Sequence, residues 1–137
     1  MKLTTRSRFG TRLILDIAQH GHIGPVTMQE IADRQQVSKK YLARVVRPLT
    51  QAGYLKTIRG PNGGYLLNKH PKDIIVGEVV ALLEGPHRSH CIENPESCIW
   101  FGRCFLQPMV EDAFTALYER LSRFSFQDLL ASDNMMK

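Results

Sequence analysis

Apolar positions recur at steps of three and four along most of the chain, and the pattern breaks at glycine and proline. Between Thr5 and Gly21, the residues Leu13, Ile14, Ile17 and Ala18 mark one face of a helix, with Phe9 and Gly10 a turn earlier. The helix is expected to end at His20-Gly21-His22, before Gly24-Pro25. Thr27 followed by Glu30 is a capping box, in which hydroxyl and carboxylate each accept from the other residue's backbone N–H. Ile31 and Ala32 supply the apolar face of the short second helix, which stops near Arg34-Gln35. Ser38 is a good N-cap for a third helix, whose Leu42, Val45, Val46 and Leu49 fall at i, i+3, i+4 and i+7. Gly53 is placed to end that helix in the left-handed conformation.

The pattern then shortens. Tyr54–Ile58 and Gly64–Asn68 read as strands, and Arg59-Gly60-Pro61-Asn62-Gly63 between them favours a turn. Two short helices joined by a few residues and followed by a hairpin define a winged helix-turn-helix. Pro71-Lys72 is the expected internal boundary, dividing a winged domain over 1–72 from a remainder over 73–137. Past it, Ile74, Ile75, Val76, Val79, Val80, Leu82 and Leu83 predict a core helix ending at Gly85-Pro86. Leu106, Met109, Val110, Ala113, Phe114, Leu117, Leu121 and Phe124 then make an apolar stripe of about five helical turns. The tail is expected to add one turn at Phe126–Leu130 and then fray. The expected fold class is mainly α with a small β-hairpin: a winged helix-turn-helix plus a long C-terminal dimerisation helix.

Composition adds little to that picture. At 137 residues, 43% hydrophobic and 23% charged, the chain suits one folded domain, or one small domain with an appended helix. No apolar run approaches the roughly 18 residues that span a bilayer. No signal-peptide pattern follows the basic start Met1-Lys2-Leu3-Thr4-Thr5-Arg6-Ser7-Arg8. The expectation is a cytoplasmic protein with no membrane partner.

Charge changes the picture more. The net +5 conceals a split, because residues 1–72 carry thirteen Lys/Arg against three Asp/Glu while 73–137 carry five against ten. A basic first half implies a polyanion partner. Opposite the buried stripe of the third helix lie Lys39, Lys40, Arg44 and Arg47, with Tyr41 near its start. Any one of these cations reads equally well as solvated decoration. A capping box, a basic helix start and an Arg-Gly hairpin in this order specify duplex DNA. Ser38, Lys39, Lys40, Tyr41 and Arg44 are expected at or near the major groove, where Lys and Arg read guanine edges or neutralise phosphates. At the hairpin tip, Gly60 and Gly63 let the backbone approach a phosphate, and Arg59 is a candidate minor-groove residue. The long apolar helix fits a homodimer on a palindromic operator, with Met109, Val110, Ala113, Phe114, Leu117 and Leu121 as its seam.

Cysteine placement raises a second question. All three cysteines, Cys91, Cys98 and Cys104, lie in one stretch rich in loop-forming residues, Glu93-Asn94-Pro95-Glu96-Ser97 and Gly102. Three soft ligands in a loop are a candidate metal site. Their spacing lacks the short knuckle usual in structural zinc. An iron–sulfur cluster, a thiol–disulfide switch, zinc and inert thiols all stay open on the residues alone, in that order of preference. Catalysis is disfavoured: no Ser/His/Asp order, phosphate loop or H-E-x-x-H is present, and Gly60–Gly64 precedes a strand rather than a helix.

From Met1 to about Leu130 the chain resembles the IscR/NsrR family of bacterial winged-helix regulators. The residues that carry the resemblance are Met1-Lys2-Leu3-Thr4, the wing Arg59-Gly60-Pro61-Asn62-Gly63-Gly64-Tyr65-Leu66-Leu67, Val76-Gly77-Glu78-Val79-Val80, and the cysteine triad ahead of an amphipathic helix. The resemblance implies a homodimeric transcription factor holding a 2Fe–2S or 4Fe–4S cluster on Cys91, Cys98 and Cys104, with DNA affinity set by redox, nitric oxide or iron status. The alternative is a cluster-free repressor switched by cysteine oxidation or a small effector. Three positions depart from relatives. Gln107 stands where some use a histidine ligand, Arg8 where others use an acidic ligand from the partner subunit, and Ala43 where some carry a glutamate that restricts the operator. His87, His90, Glu93 and Glu96 are the nearby alternatives for a fourth ligand.

Overall fold

A computed structural model of the chain describes residues 3–85 and 94–136. Helix α1 spans Thr5–His20, α2 Met28–Gln35 and α3 Lys39–Gln51; strands β1 (Leu55–Ile58) and β2 (Gly64–Leu67) follow, then α4 (Val76–Glu84), α5 (Leu106–Leu121) and α6 (Phe126–Met136). The expected N-caps Thr27 and Ser38 are in place, and Thr4 caps α1 as well. Thr4 Oγ1 accepts from Ser7 N–H at 3.4 Å, Ser38 Oγ from Tyr41 N–H at 3.1 Å, and Thr27 and Glu30 close their reciprocal box at 3.2 and 2.7 Å. Gln36 turns the chain out of α2 with φ 56°, a left-handed residue in the turn that separates the two helices. Gly53, with φ +82°, does the same after α3.

The strands pair antiparallel, Leu55 opposite Leu67 and Ile58 opposite Gly64. Val26 and Tyr65 exchange backbone hydrogen bonds of 3.0 and 2.8 Å, so the segment entering α2 is laced to the hairpin. The core takes Leu13, Ile14 and Ile17 from α1, Leu42, Val45 and Leu49 from α3, Leu55 from β1, and Ile74, Val79 and Leu83 from α4 and its approach. It therefore runs without interruption across Pro71-Lys72, which sits in a 3-10 turn over Pro71–Asp73. Close approach explains two glycines. A methyl group on Gly10 would strike the Leu83 side chain where α1, α3 and α4 meet, and one on Gly77 would strike Ser122 at the end of α5.

The tail departs from the sequence expectation. Rather than one turn and a frayed end, Phe126–Met136 is a continuous helix. Its start is pinned on both sides: Phe126 N–H donates to Ile74 O and Val76 N–H to Phe124 O, each at 2.9 Å. Ser125 and Asp128 form a further capping box, with bonds of 2.8 and 3.2 Å. Phe126 is fully buried in the common core. The stripe ahead of it ends sooner than its periodicity suggests, because α5 stops at Leu121 and leaves Phe124 in the connecting turn.

Candidate functional site

Ser38, Lys39, Lys40 and Arg44 are all exposed on the outer side of α3, as are Ala43 and Arg47. The buried face holds Leu42, Val45, Val46 and Leu49 with exposures of 4% or less, so the helix is clamped by its apolar side and offers its cations outward. Among the described residues, Lys39, Lys40, Arg44, Arg47 and Arg59 enter no ion pair. Their charge is left for an external anion. Tyr41 differs from its neighbours. It is half-buried and meets Phe9 of α1 edge-on, with ring centroids 5.5 Å apart, while the Arg12 guanidinium lies 5.4 Å from the Phe9 ring centre.

Two grooves border α3. One, of about 510 Å³, is lined by Arg6, Tyr41, Arg44, Val45, Arg47, Pro48 and Gln51. It brings a cation of α1 beside two of the recognition helix. Arg6 is a residue that sequence reasoning missed, since helical periodicity says which side of α1 is polar but not which helix lies beside it. The second groove, about 260 Å³, has Ala43, Arg47 and Thr50 on one wall and Thr57 and Tyr65 on the other. Helix and wing thus share a surface, and the small Ala43 leaves the groove open. At the wing tip, Arg59 is exposed, Gly60 has φ +111°, and Gly63 N–H donates to Gly60 O at 3.0 Å. A side chain on Gly63 would run into the carbonyl of Ile58. The turn itself requires both glycines.

The helix-turn-helix is held to α1 by an ion pair whose carboxylate is buried and whose guanidinium is partly exposed. Asp16, 4% exposed, accepts from Arg34 Nη2 at 2.6 Å, from Arg34 Nε at 3.0 Å and from Gln35 Nε2 at 3.1 Å. The hydrogen bonds to Asp16 push the Arg34 pKa up from an already high value. His20 donates from Nδ1 to the Asp16 backbone carbonyl at 2.8 Å. Sequence reasoning placed His20, Arg34 and Gln35 only as helix ends and missed this contact, because a lone Asp on the rim of an apolar face carries no signal of its partner.

In the thiol segment, Cys98 and Cys104 are free of disulfides and half-buried. They flank Ile99, Trp100 and Phe101, which are 82%, 61% and 52% exposed. Cys91, His87, His90 and Glu93 lie outside the described residues, and among the described residues no three His, Cys, Asp or Glu gather as a metal site. The two described thiols suit a soft metal in donor type and in access. Of the other positions considered for a fourth ligand, Glu96 and Arg8 are exposed and Gln107 half-exposed. In α5, no residue is buried: Val110, Phe114, Leu117 and Leu121 are half-exposed, while Ala113 and Met109 are open, Met109 at 60%.

A basic recognition helix capped by Ser38, a paired hairpin beside it and a common groove define a winged-helix DNA-binding protein. The comparisons with known proteins agree. Residues 3–132 match the Rrf2 family, described as an iron-dependent transcriptional regulator, and the chain belongs to that family. It is 43% identical over 131 residues to protein rrf2 of Nitratidesulfovibrio vulgaris, covering 95% of this chain and 87% of that one. Among solved structures, T. potens IscR superposes with a TM-score of 0.79 at 31% identity, covering 97% of this chain and 88% of that one. CymR, the global cysteine regulator of B. subtilis, gives 0.71 at 31% identity, covering 96% and 98%. The family's members are transcriptional regulators, not enzymes. No helix among the described residues is long and apolar enough to cross a membrane.

Proposed function

We propose that the chain is a homodimeric, cytoplasmic transcriptional regulator whose operator affinity is switched by an iron–sulfur cluster on Cys91, Cys98 and Cys104. Residues 1–72 bind the duplex; 73–137 sense and pair. The observation that carries the reading is the row Lys39, Lys40, Arg44, without an ion pair among the described residues, on an α3 clamped from behind, with Arg59 on the adjoining wing. Such a row supplies phosphate and base contacts, while burial of the opposite face fixes its register. Pairing is supported by α5, a helix of sixteen residues in which none is buried, whose exposed Met109 belongs to the seam expected from the sequence and whose exposed Leu106 extends it.

For the cofactor, support comes from the chemistry of Cys98 and Cys104 and from the iron dependence in the family's description. When bound, a cluster would supply one-electron redox chemistry and lability to oxidants. The chain's own part is to present thiolates at a partly open surface. Switching by cysteine oxidation without a cluster is the second reading, supported by the partly open thiols of Cys98 and Cys104 and by the likeness to CymR, the global cysteine regulator of B. subtilis.

Anaerobic purification followed by absorption spectroscopy and iron and sulfide analysis separates the two. The cluster reading expects a brown protein whose visible bands vanish in Cys98→Ala. A colourless protein without iron or sulfide after anaerobic reconstitution, yet with affinity lost on diamide treatment, would establish the thiol switch instead.

A further inference from the structure

Helix α4 ends at Glu84, immediately ahead of the segment that carries Cys91, and its carboxylate does not face solvent alone. Glu84 Oε1 accepts from Thr4 N–H at 2.7 Å and from Thr4 Oγ1 at 2.8 Å. It also accepts from Ser7 Oγ, and Ser7 is 1% exposed. Thr4 is the N-cap of α1, so one carboxylate from a helix distant in sequence holds the first turn of α1 through its cap. A negative group at a helix N-terminus is also favourable electrostatically. Tyr118 of α5 feels the same charge: burial raises its pKa first, and the Glu84 carboxylate raises it further.

What that turn carries is Arg6, the α1 cation in the groove with Arg44 and Arg47. Downstream on α1, Phe9 holds Tyr41 and Gly10 lies against Val45 and Leu83. The first turns of α1 therefore bridge the C-terminal end of α4 and the exposed side of α3.

Building on the operator face proposed above, we infer that Glu84 is a positioning residue for DNA binding. By clasping Thr4 and Ser7 it sets the first turn of α1, and so places Arg6 as a phosphate contact beside the recognition helix. The clasp also ties the start of the cysteine segment to the DNA-binding surface. A purely structural role would stabilise the helix without acting through Arg6, and this difference makes the inference testable.

The probe is a labelled duplex selected by the protein itself from a randomised pool, titrated with full-length protein at several salt concentrations. Glu84→Ala and Arg6→Ala are each expected to weaken binding about tenfold and to flatten the log–log salt dependence by about one. The double variant should bind no worse than either single one, because Arg6 has already lost its place in Glu84→Ala. Glu84→Gln keeps the acceptor oxygen and should bind within about threefold of the parent. Additive losses in the double variant would overturn the inference. So would a Glu84→Ala protein with lowered thermal stability but unchanged affinity and salt slope when folded. Arg59→Ala and Lys40→Ala distinguish the two levels: if both bind normally, the operator face itself is wrong, whereas if both weaken and Arg6→Ala does not, only the clasp fails.

Discussion

Removing the carboxylate of Asp16 should cost more stability than any surface charge in this chain. Asp16 is 4% exposed and accepts from Arg34 through both Nε and Nη2 and from Gln35 through Nε2. Taking away one partner of a buried pair costs about 3–5 kcal/mol, chiefly because the other charge is stranded. Here the Arg34 side chain is 33% exposed, so part of its charge returns to water and the lower end, about 3 kcal/mol, is expected for Asp16→Ala. A domain of this size holds roughly 7–20 kcal/mol in total, so the loss is a large fraction of it. The double variant Asp16→Ala/Arg34→Ala leaves no stranded charge, and should recover about 1–2 kcal/mol relative to the sum of the single changes. The assay is urea unfolding followed by circular dichroism, repeated over a range of protein concentrations so that any dimer dissociation is separated from unfolding. Single-variant costs that add within about 0.5 kcal/mol would refute the buried-pair reasoning. An Asp16→Ala cost below about 1 kcal/mol would refute it too, since that is the value of an exposed pair.

Two further outcomes follow from α5 and from the capping box. Met109→Asp places a charge in the proposed seam at a position 60% exposed in the single chain, so it should yield folded monomers by analytical ultracentrifugation; a variant that still sediments as a dimer removes that seam. The Glu30 carboxyl is held below its usual pKa by hydrogen bonds from the Thr27 backbone and hydroxyl. A lowered folded pKa contributes stability that is present above the unfolded value of 4.5 and is lost as pH falls through the folded value. Glu30→Gln should therefore flatten the acid limb of the stability curve below pH 4.5, and an unchanged limb would show that the box does not titrate with folding.

How much of this could be read from the sequence depended on whether the signal was local. Thr27 with Glu30, Ser38, and the stripe Leu42, Val45, Val46, Leu49 each state a helix start or a buried face within a few residues, and each is realised. The wing was legible for the same reason: a turn that needs positive φ at Gly60 and a bare Gly63 writes its requirement into five consecutive positions. The last helix was underestimated although Ser125 and Asp128 announce it with the same spacing as Thr27 and Glu30. The apolar content behind that cap is thin, and its anchor is the pairing of Phe126 with Ile74, a contact that periodicity cannot express. The carboxylates show the limit most clearly. Asp16 and Glu84 each look like ordinary polar positions beside an apolar stripe, yet one locks the helix-turn-helix to α1 and the other locks α4 to the cap of the same helix. Both bonds join segments far apart in the chain, so only the packing of α1 against α2 and α4 brings donor and acceptor together. That packing gives α1 a function its own sequence does not declare. It is the element against which the recognition helix, the core and the C-terminal end of α4 all pack.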